Sequence, residues 1–284
     1  VTYGGGITAD LSRKILLNNL NVSGRFFIDM DELIADPEKA KNYAPKEDIL
    51  LLQTEDLEKF ISVNALAFDQ CNYQLPNEVL NTIIEAAGKA PSGGNNQPWR
   101  LHYSNNILHL FLEQNVAQAY LDPLYISSYT ALGAAIENIV LAAAANNVKA
   151  NYTLTPQFAP NHIAWFSFEP AYSANEIQIS LAKQIPLRHT NRKITPTADF
   201  NSNDEQFLND LVTSVNGAKI TWLKDADKIK ALANIATSTD LQRMFIAEAH
   251  EDFIVREMRW DVEDSLKRED GIGIHTLDLS HNDQ

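Results

Sequence analysis

Apolar and polar positions along this chain follow two periods, and the switches between them mark its elements. Val79, Leu80, Ile83, Ile84 and Ala87 recur at three- and four-residue spacing. That spacing predicts a helix over 77–88, with Asn77 as N-cap and Gly88 and Pro91 as its stop. Leu101, Tyr103, Leu108, Leu110 and Leu112 then alternate with polar residues around Ser104-Asn105-Asn106, which predicts a β-hairpin. Over 128–147 the residues Leu132, Ala135, Ile136, Ile139, Val140 and Ala143 leave a helix apolar on nearly every face. Such a helix is expected to be buried, and its alanines and Gly133 would admit a close neighbour. Strands are predicted over 149–155 and 163–168, the second carrying Trp165, Phe166 and Phe168.

The pattern continues with a helix over 204–215 and a strand over 219–223. A long helix over 241–269 follows, on Phe245, Ala249, Phe253, Met258, Val262 and Leu266, and Gly271 and Gly273 end it. Asp252–Arg256, Glu263–Lys267 and Asp264–Arg268 are acid-first pairs four apart on that helix. Residues 25–30 read as a strand and 31–34 as the start of a helix. The rest of 1–75 carries no motif, and residues 170–175 are the linker to suspect.

A chain of 284 residues, 45% hydrophobic, can bury one substantial core or two small ones. Its formal charge of −14 argues against nucleic acid or an anionic membrane surface as main partner. The longest apolar run, 131–145, contains Glu137 and Asn138 and is too short to span a bilayer. Cys71 is the only cysteine, so no intrachain disulfide forms, which fits a reducing, cytoplasmic setting. A lone thiol of this kind is ordinarily structural or on the surface. No basic start with an apolar core opens the chain.

Between the first helix and the hairpin lies Ala90-Pro91-Ser92-Gly93-Gly94-Asn95-Asn96-Gln97-Pro98-Trp99-Arg100. Two glycines let a ligand approach the backbone, and one hydroxyl and three side-chain amides share the loop. A flat heteroaromatic ring with alternating N–H and C=O groups needs such a lining. The plain alternative is a solvated turn. Ser92, Asn95, Gln97, Pro98 and Trp99 resemble the Pro-Ser-x-x-Asn-x-Gln-Pro-Trp loop of the nitroreductase-like flavin oxidoreductases. The resemblance implies that this loop lies against the isoalloxazine ring of FMN.

A second segment, Pro186-Leu187-Arg188-His189-Thr190-Asn191-Arg192-Lys193, is a basic island in an acidic chain. Arginine forks and a threonine hydroxyl make charge-assisted bonds to phosphate, although an exposed basic turn has the same composition. The segment is similar to the Arg-x-Ser/Thr-x-Arg element that meets the phosphate, ribityl chain and ring edge of FMN in the same family. Ordinary members carry that element before the loop; here Arg188 follows Trp99. This order resembles a branch in which two nitroreductase-like halves are fused. Some members are also joined to an adenylating domain, and the present chain would then be a piece of a larger one. No second Pro-Ser-x-x-Asn-x-Gln-Pro-Trp follows Arg192, so the resemblance implies one flavin site.

The resemblance implies an α+β, nitroreductase-like fold: a mixed or antiparallel sheet flanked by helices, with a long buried central helix. It divides the chain into 1–75, a first half over 76–170, and a degenerate, truncated second half over 171–284. The expected cofactor-binding residues are Ser92, Gly93, Asn95, Gln97, Arg188, His189, Thr190 and Arg192. The expected activity is FMN-dependent, with NAD(P)H as donor and a small-molecule acceptor such as a nitroaromatic or quinone. Three alternatives stay open: an FMN-sequestering protein with little turnover, an azoline-type ring oxidase, and an interaction domain in which the flavin motif is a relic. Fused halves would pair within one chain as a monomer, whereas a degenerate second half predicts a homodimer through the 128–147 helix, the arrangement favoured here. His250-Glu251 lacks the second histidine of a zinc helix, and His275 and His281 have no partners at metal-ligand spacing, so no metal site is expected.

Overall fold

A computed structural model describes residues 59–60, 72–155, 161–192, 200–215 and 217–277. The readings of residues 25–34, Cys71 and His281 lie outside them. Two units of chain emerge: residues 23–190 with 254–274, and 191–253 with the two termini.

In the larger unit, helix α1 (Asn77–Gly88) runs over the expected span, but its N-cap is Pro76 and Asn77 is the first helical residue. Proline suits a helix start, because the first N–H groups have no partner within the helix anyway. Strands β1 (Trp99–Ser104) and β2 (Ile107–Leu112) form the expected hairpin, pairing Leu101 with Leu110 and Tyr103 with Leu108. The turn residues Asn105 and Asn106 have φ of 52° and 63°. Two positive angles in a two-residue loop define a primed turn, whose twist matches that of the strands. Asn106→Ala should therefore cost about 1 kcal/mol, since alanine tolerates the left-handed region poorly. Thermal unfolding of the variant checks this; an unchanged midpoint would refute it.

Helix α2 (Ile126–Ala145) leads into a second hairpin of β3 (Lys149–Leu154) and β4 (His162–Glu169). The sheet is antiparallel with order β1-β2-β4-β3, so β4 docks beside β2 and leaves β1 and β3 at the edges. β2 is buried at every position. One face of the sheet packs Leu108, Leu110, Phe166 and Phe168 against Ile83 and Ala87 of α1 and Leu132, Ile136 and Ile139 of α2. Asn138 Nδ2 on α2 donates to Ala86 O at 2.8 Å and ties the two helices together. Asp122 caps α2, accepting from the backbone N–H of Ser127 and Ser128 at 3.0 Å each. The core of this unit is thus an α+β assembly around one long central helix.

That helix is not buried all round. Ile126, Tyr129, Gly133 and Glu137 form an exposed stripe, and nothing lies within 4 Å of where a Cβ on Gly133 would sit. The close approach expected at Gly133 is not made among the described residues. Among the described residues α2 is long and apolar enough to cross a membrane, and half of it is buried inside the fold, as a core helix is.

The opposite face of the sheet carries a polar cluster. His109 Nδ1 lies 3.2 Å from His162 Nε2, and His162 Nδ1 lies 3.0 Å from Thr155 Oγ1. Both histidines are fully buried, and the rings of Phe111 and Phe60 stand 4.7 and 5.5 Å from that of His162. Burial, and then the neighbouring His162 and His102, push the His109 imidazole down to about 3. Burial likewise lowers that of His162 to about 4.

After β4, Asn175 caps α3 (Glu176–Gln184) reciprocally with Gln178, so the suspected linker ends in a capping box. The smaller unit contains α4 (Ser202–Thr213) and α5 (Ala226–Phe245). Trp222 donates to Asn209 Oδ1 at 2.9 Å and packs at a tilt against Phe200, but residues 219–223 form no strand. Among the described residues of this unit only Ala249 is buried.

The long helix expected over 241–269 is broken. Ile246 is extended and ends α5, and a π-helical turn covers Glu251–Glu257. Met258–Arg259 (β5) pairs in parallel with Ile272–Gly273 (β6), around α6 (Val262–Arg268), which Asp261 caps. Arg256 reaches the peptide carbonyls of Asn115 and Gln118, and Arg268 grips Asp270.

Candidate functional site

Pro91 and the glycines release the chain from α1 into a tight loop. Gly94, Asn95 and Gln97 have φ of 58°, 54° and 52°. Glycine adopts this region freely and asparagine tolerates it, which fits the Gly-Gly-Asn sequence. Ser92 closes the loop: its Oγ accepts from Gln97 N–H at 3.0 Å and its carbonyl from Asn95 N–H at 3.0 Å. The loop sits on the first turn of α2, where a Cβ on Gly93 would stand 2.7 Å from Ser127 Oγ.

The expected ring-lining amides converge on one acceptor. Asn95 Nδ2 and Gln97 Nε2 donate to the Glu269 carbonyl at 3.1 and 2.8 Å. Gly271 N–H donates to Asn95 O at 3.0 Å. Asn96 Nδ2 reaches Val116 O at 3.4 Å, while its Oδ1 is buried with no hydrogen-bond partner among the described residues. A Cβ on Gly94 would meet Glu257 Cδ at 2.9 Å.

Arg188 comes to the end of α1 from far along the chain. Its Nε donates to Lys89 O at 3.2 Å, at the end of α1, and Lys89 Nζ pairs with Glu269 at 3.4 Å. Arg188, His189 and Thr190 are exposed. His189 Nδ1 lies 3.2 Å from Leu187 O. Arg192 belongs to the smaller unit, where Nη1 donates to Thr276 Oγ1 at 3.4 Å. Arg188 thus meets the chain at Lys89, at the end of α1 and ahead of the loop that carries Ser92, Gly93, Asn95 and Gln97.

Sequence reasoning missed Lys89, Glu257, Glu269 and Gly271, which complete this cluster. The signal available for them was weak. Gly271, at φ 72°, carries in the sequence only the mark of a helix end. Among the described residues no group of three His, Cys, Asp or Glu could hold a metal ion, and His250 and His275 are exposed.

No protein-family model matches the chain. An uncharacterized protein of Mycobacterium tuberculosis is 28% identical over 210 residues, which is 72% of this chain and 28% of that protein. A second M. tuberculosis protein, acg, provisionally named an NAD(P)H nitroreductase, is 30% identical over 116 residues, 40% of this chain and 35% of its own. The chain is similar to a nitroreductase. It spans only about a third or less of the length of the curated relatives it matches. Among solved structures, a provisionally assigned nitroreductase in complex with FMN from Desulfovibrio desulfuricans matches 37% of this chain and 80% of its own. It does so at 22% identity and a TM-score of 0.29. A provisionally assigned NADH oxidase from Clostridium acetobutylicum matches 38% and 84%, at 17% identity and a TM-score of 0.30. Overlap at those TM-scores carries no argument, and the fold stands on the packing described above.

A flavin fits the two ends of the cluster unequally. At the phosphate end, exposed Arg188 and Thr190 offer N–H and hydroxyl donors. At the ring end, the Asn95 and Gln97 amides are taken by Glu269 O, and the bare face of Gly94 by the Glu257 side chain. A ring does not fit there with those groups in place.

Proposed function

We propose that this chain is part of an FMN-dependent oxidoreductase that uses NAD(P)H to reduce a small electrophile such as a nitroaromatic or quinone. The observation that carries the reading is the meeting of Arg188 with Lys89 O, across 99 residues of sequence, at the root of the amide-bearing loop. A chance basic turn has no reason to dock beside a loop whose amides converge on an acceptor. Similarity to acg, a protein named for NAD(P)H nitroreductase activity, over 116 residues supports it. In this reading Asn95 and Gln97 hold the polar edge of the ring, Ser92 and Gly93 shape the loop, and Arg188, His189 and Thr190 take the phosphate and ribityl chain. Flavin, when bound, supplies two-electron chemistry between nicotinamide and acceptor. The chain's own task is then to bind and orient.

Occupation of the ring end by Glu257 and Glu269 favours a second reading, in which FMN is held with little turnover. NAD(P)H consumption with and without a nitro compound separates the two. The flavin reading itself is tested by FMN titration followed by fluorescence quenching. Arg188→Ala should weaken FMN by roughly tenfold, the low end for a charge-assisted bond at an exposed site. Equal affinity in the variant would remove Arg188 from the site.

A further inference from the structure

Loop 92–97 already holds a ligand of a kind, and it is a peptide of this chain. The turn at residues 269–271 offers the loop a carbonyl acceptor and an N–H donor side by side. Glu269 O accepts from both amides, and Gly271 N–H donates to Asn95 O. The imide edge of an isoalloxazine ring offers the same pair, a C=O next to an N–H. Glu257 covers Gly94 as well, so the face left bare by that glycine is also filled.

The turn is fastened from several sides. Asp270 accepts from Arg259 at 2.9 Å and from Arg268 at 3.0 Å. Arg256 forks onto Asn115 O and Gln118 O, at 2.8 Å each. A Cβ on Gly271 would stand 2.6 Å from Glu257 O, so the peptide lies flat against its neighbour.

We propose that the 269–271 turn is an internal competitor of the ligand ring. Turn and ring draw on the same hydrogen-bonding groups of Asn95 and Gln97, so binding of one expels the other. This rests on the flavin reading above. A site that is open a tenth of the time shows an affinity lowered roughly tenfold. Loosening the turn restores that factor.

The test is amide hydrogen exchange on the wild-type chain, titrated with FMN and with riboflavin, which has the ring but no phosphate. Both should abolish protection at Gly271 N–H and raise exchange across residues 254–274. Asp270→Ala, which unfastens the turn, should bind riboflavin roughly tenfold more tightly than wild type. Flavin binding that leaves Gly271 protected overturns the inference while sparing the flavin reading, as does a folded Asp270→Ala with unchanged affinity. Quenching of neither flavin by either protein overturns both. Should Asp270→Ala fail to fold, the wild-type exchange result decides alone.

Discussion

Lowering the pH from 7 to 5 should cost this protein about 4 kcal/mol of folding stability, about 2 kcal/mol from each buried histidine. In the folded chain burial holds His109 and His162 neutral, far below their ordinary range. Unfolded, both titrate near 6.5. Between those limits the unfolded chain binds more protons, so stability is complete above the unfolded value and falls as pH drops through 6.5 towards 4 and 3. Below that window the loss levels off. Protonating the pair in place is costly, because His109 Nδ1 and His162 Nε2 are 3.2 Å apart and share one proton between them. Denaturant unfolding at the two pH values checks this. The double variant His109→Leu, His162→Phe should flatten the dependence, and equal wild-type midpoints at pH 7 and pH 5 would sink the account.

Those histidines were invisible in the pattern, and the reason is instructive. His109 sits in a run that reads as alternating, Leu108 and Leu110 on one face and His109 and Phe111 on the other. Alternation implies one wet face, whereas β2 is buried on both. Periodicity sees what a strand offers, not what covers it. Where one element decides its own form, spacing is enough: α1, α2, β3 and β4 lie within two residues of the expected bounds, and the first hairpin turns at the expected asparagines. Where pairing across the chain decides, it failed. Residues 241–269 keep helical spacing, yet Met258 and Arg259 are drawn into a strand pair with Ile272 and Gly273.

The candidate site divides in the same manner. Ser92, Asn95 and Gln97 are legible because a local turn with left-handed residues selects their types. Arg188 is legible as a charge in an acidic chain, but its docking on Lys89 O is a tertiary event with no local mark. Glu269 contributes a backbone carbonyl, which no side-chain pattern can announce.

Asp270→Ala should destabilise the 254–274 segment by about 3 kcal/mol, the low end for breaking a buried ion pair. Arg259 is 7% exposed and its Nε donates to Asp270 at 2.9 Å. Asp270 itself is a third exposed, so water softens the loss and the upper end of that range does not apply. Burial raises the Asp270 carboxyl, but the hydrogen bonds from Arg259 and Arg268 outweigh it and hold the group below its usual range. Without the carboxylate, Arg259 keeps among the described residues only the carbonyls of Arg256 and Met258 opposite its charge. Removing both charges is expected to be milder than removing one, since the cost lies in the charge left behind. Arg259→Met with Asp270→Ala should recover at least a third of the loss by this argument. Amide exchange across 254–274 in the single and double variants measures it. A double variant as unstable as the sum of its parts would show that the two groups act separately, and that Asp270 does not fasten the turn through Arg259.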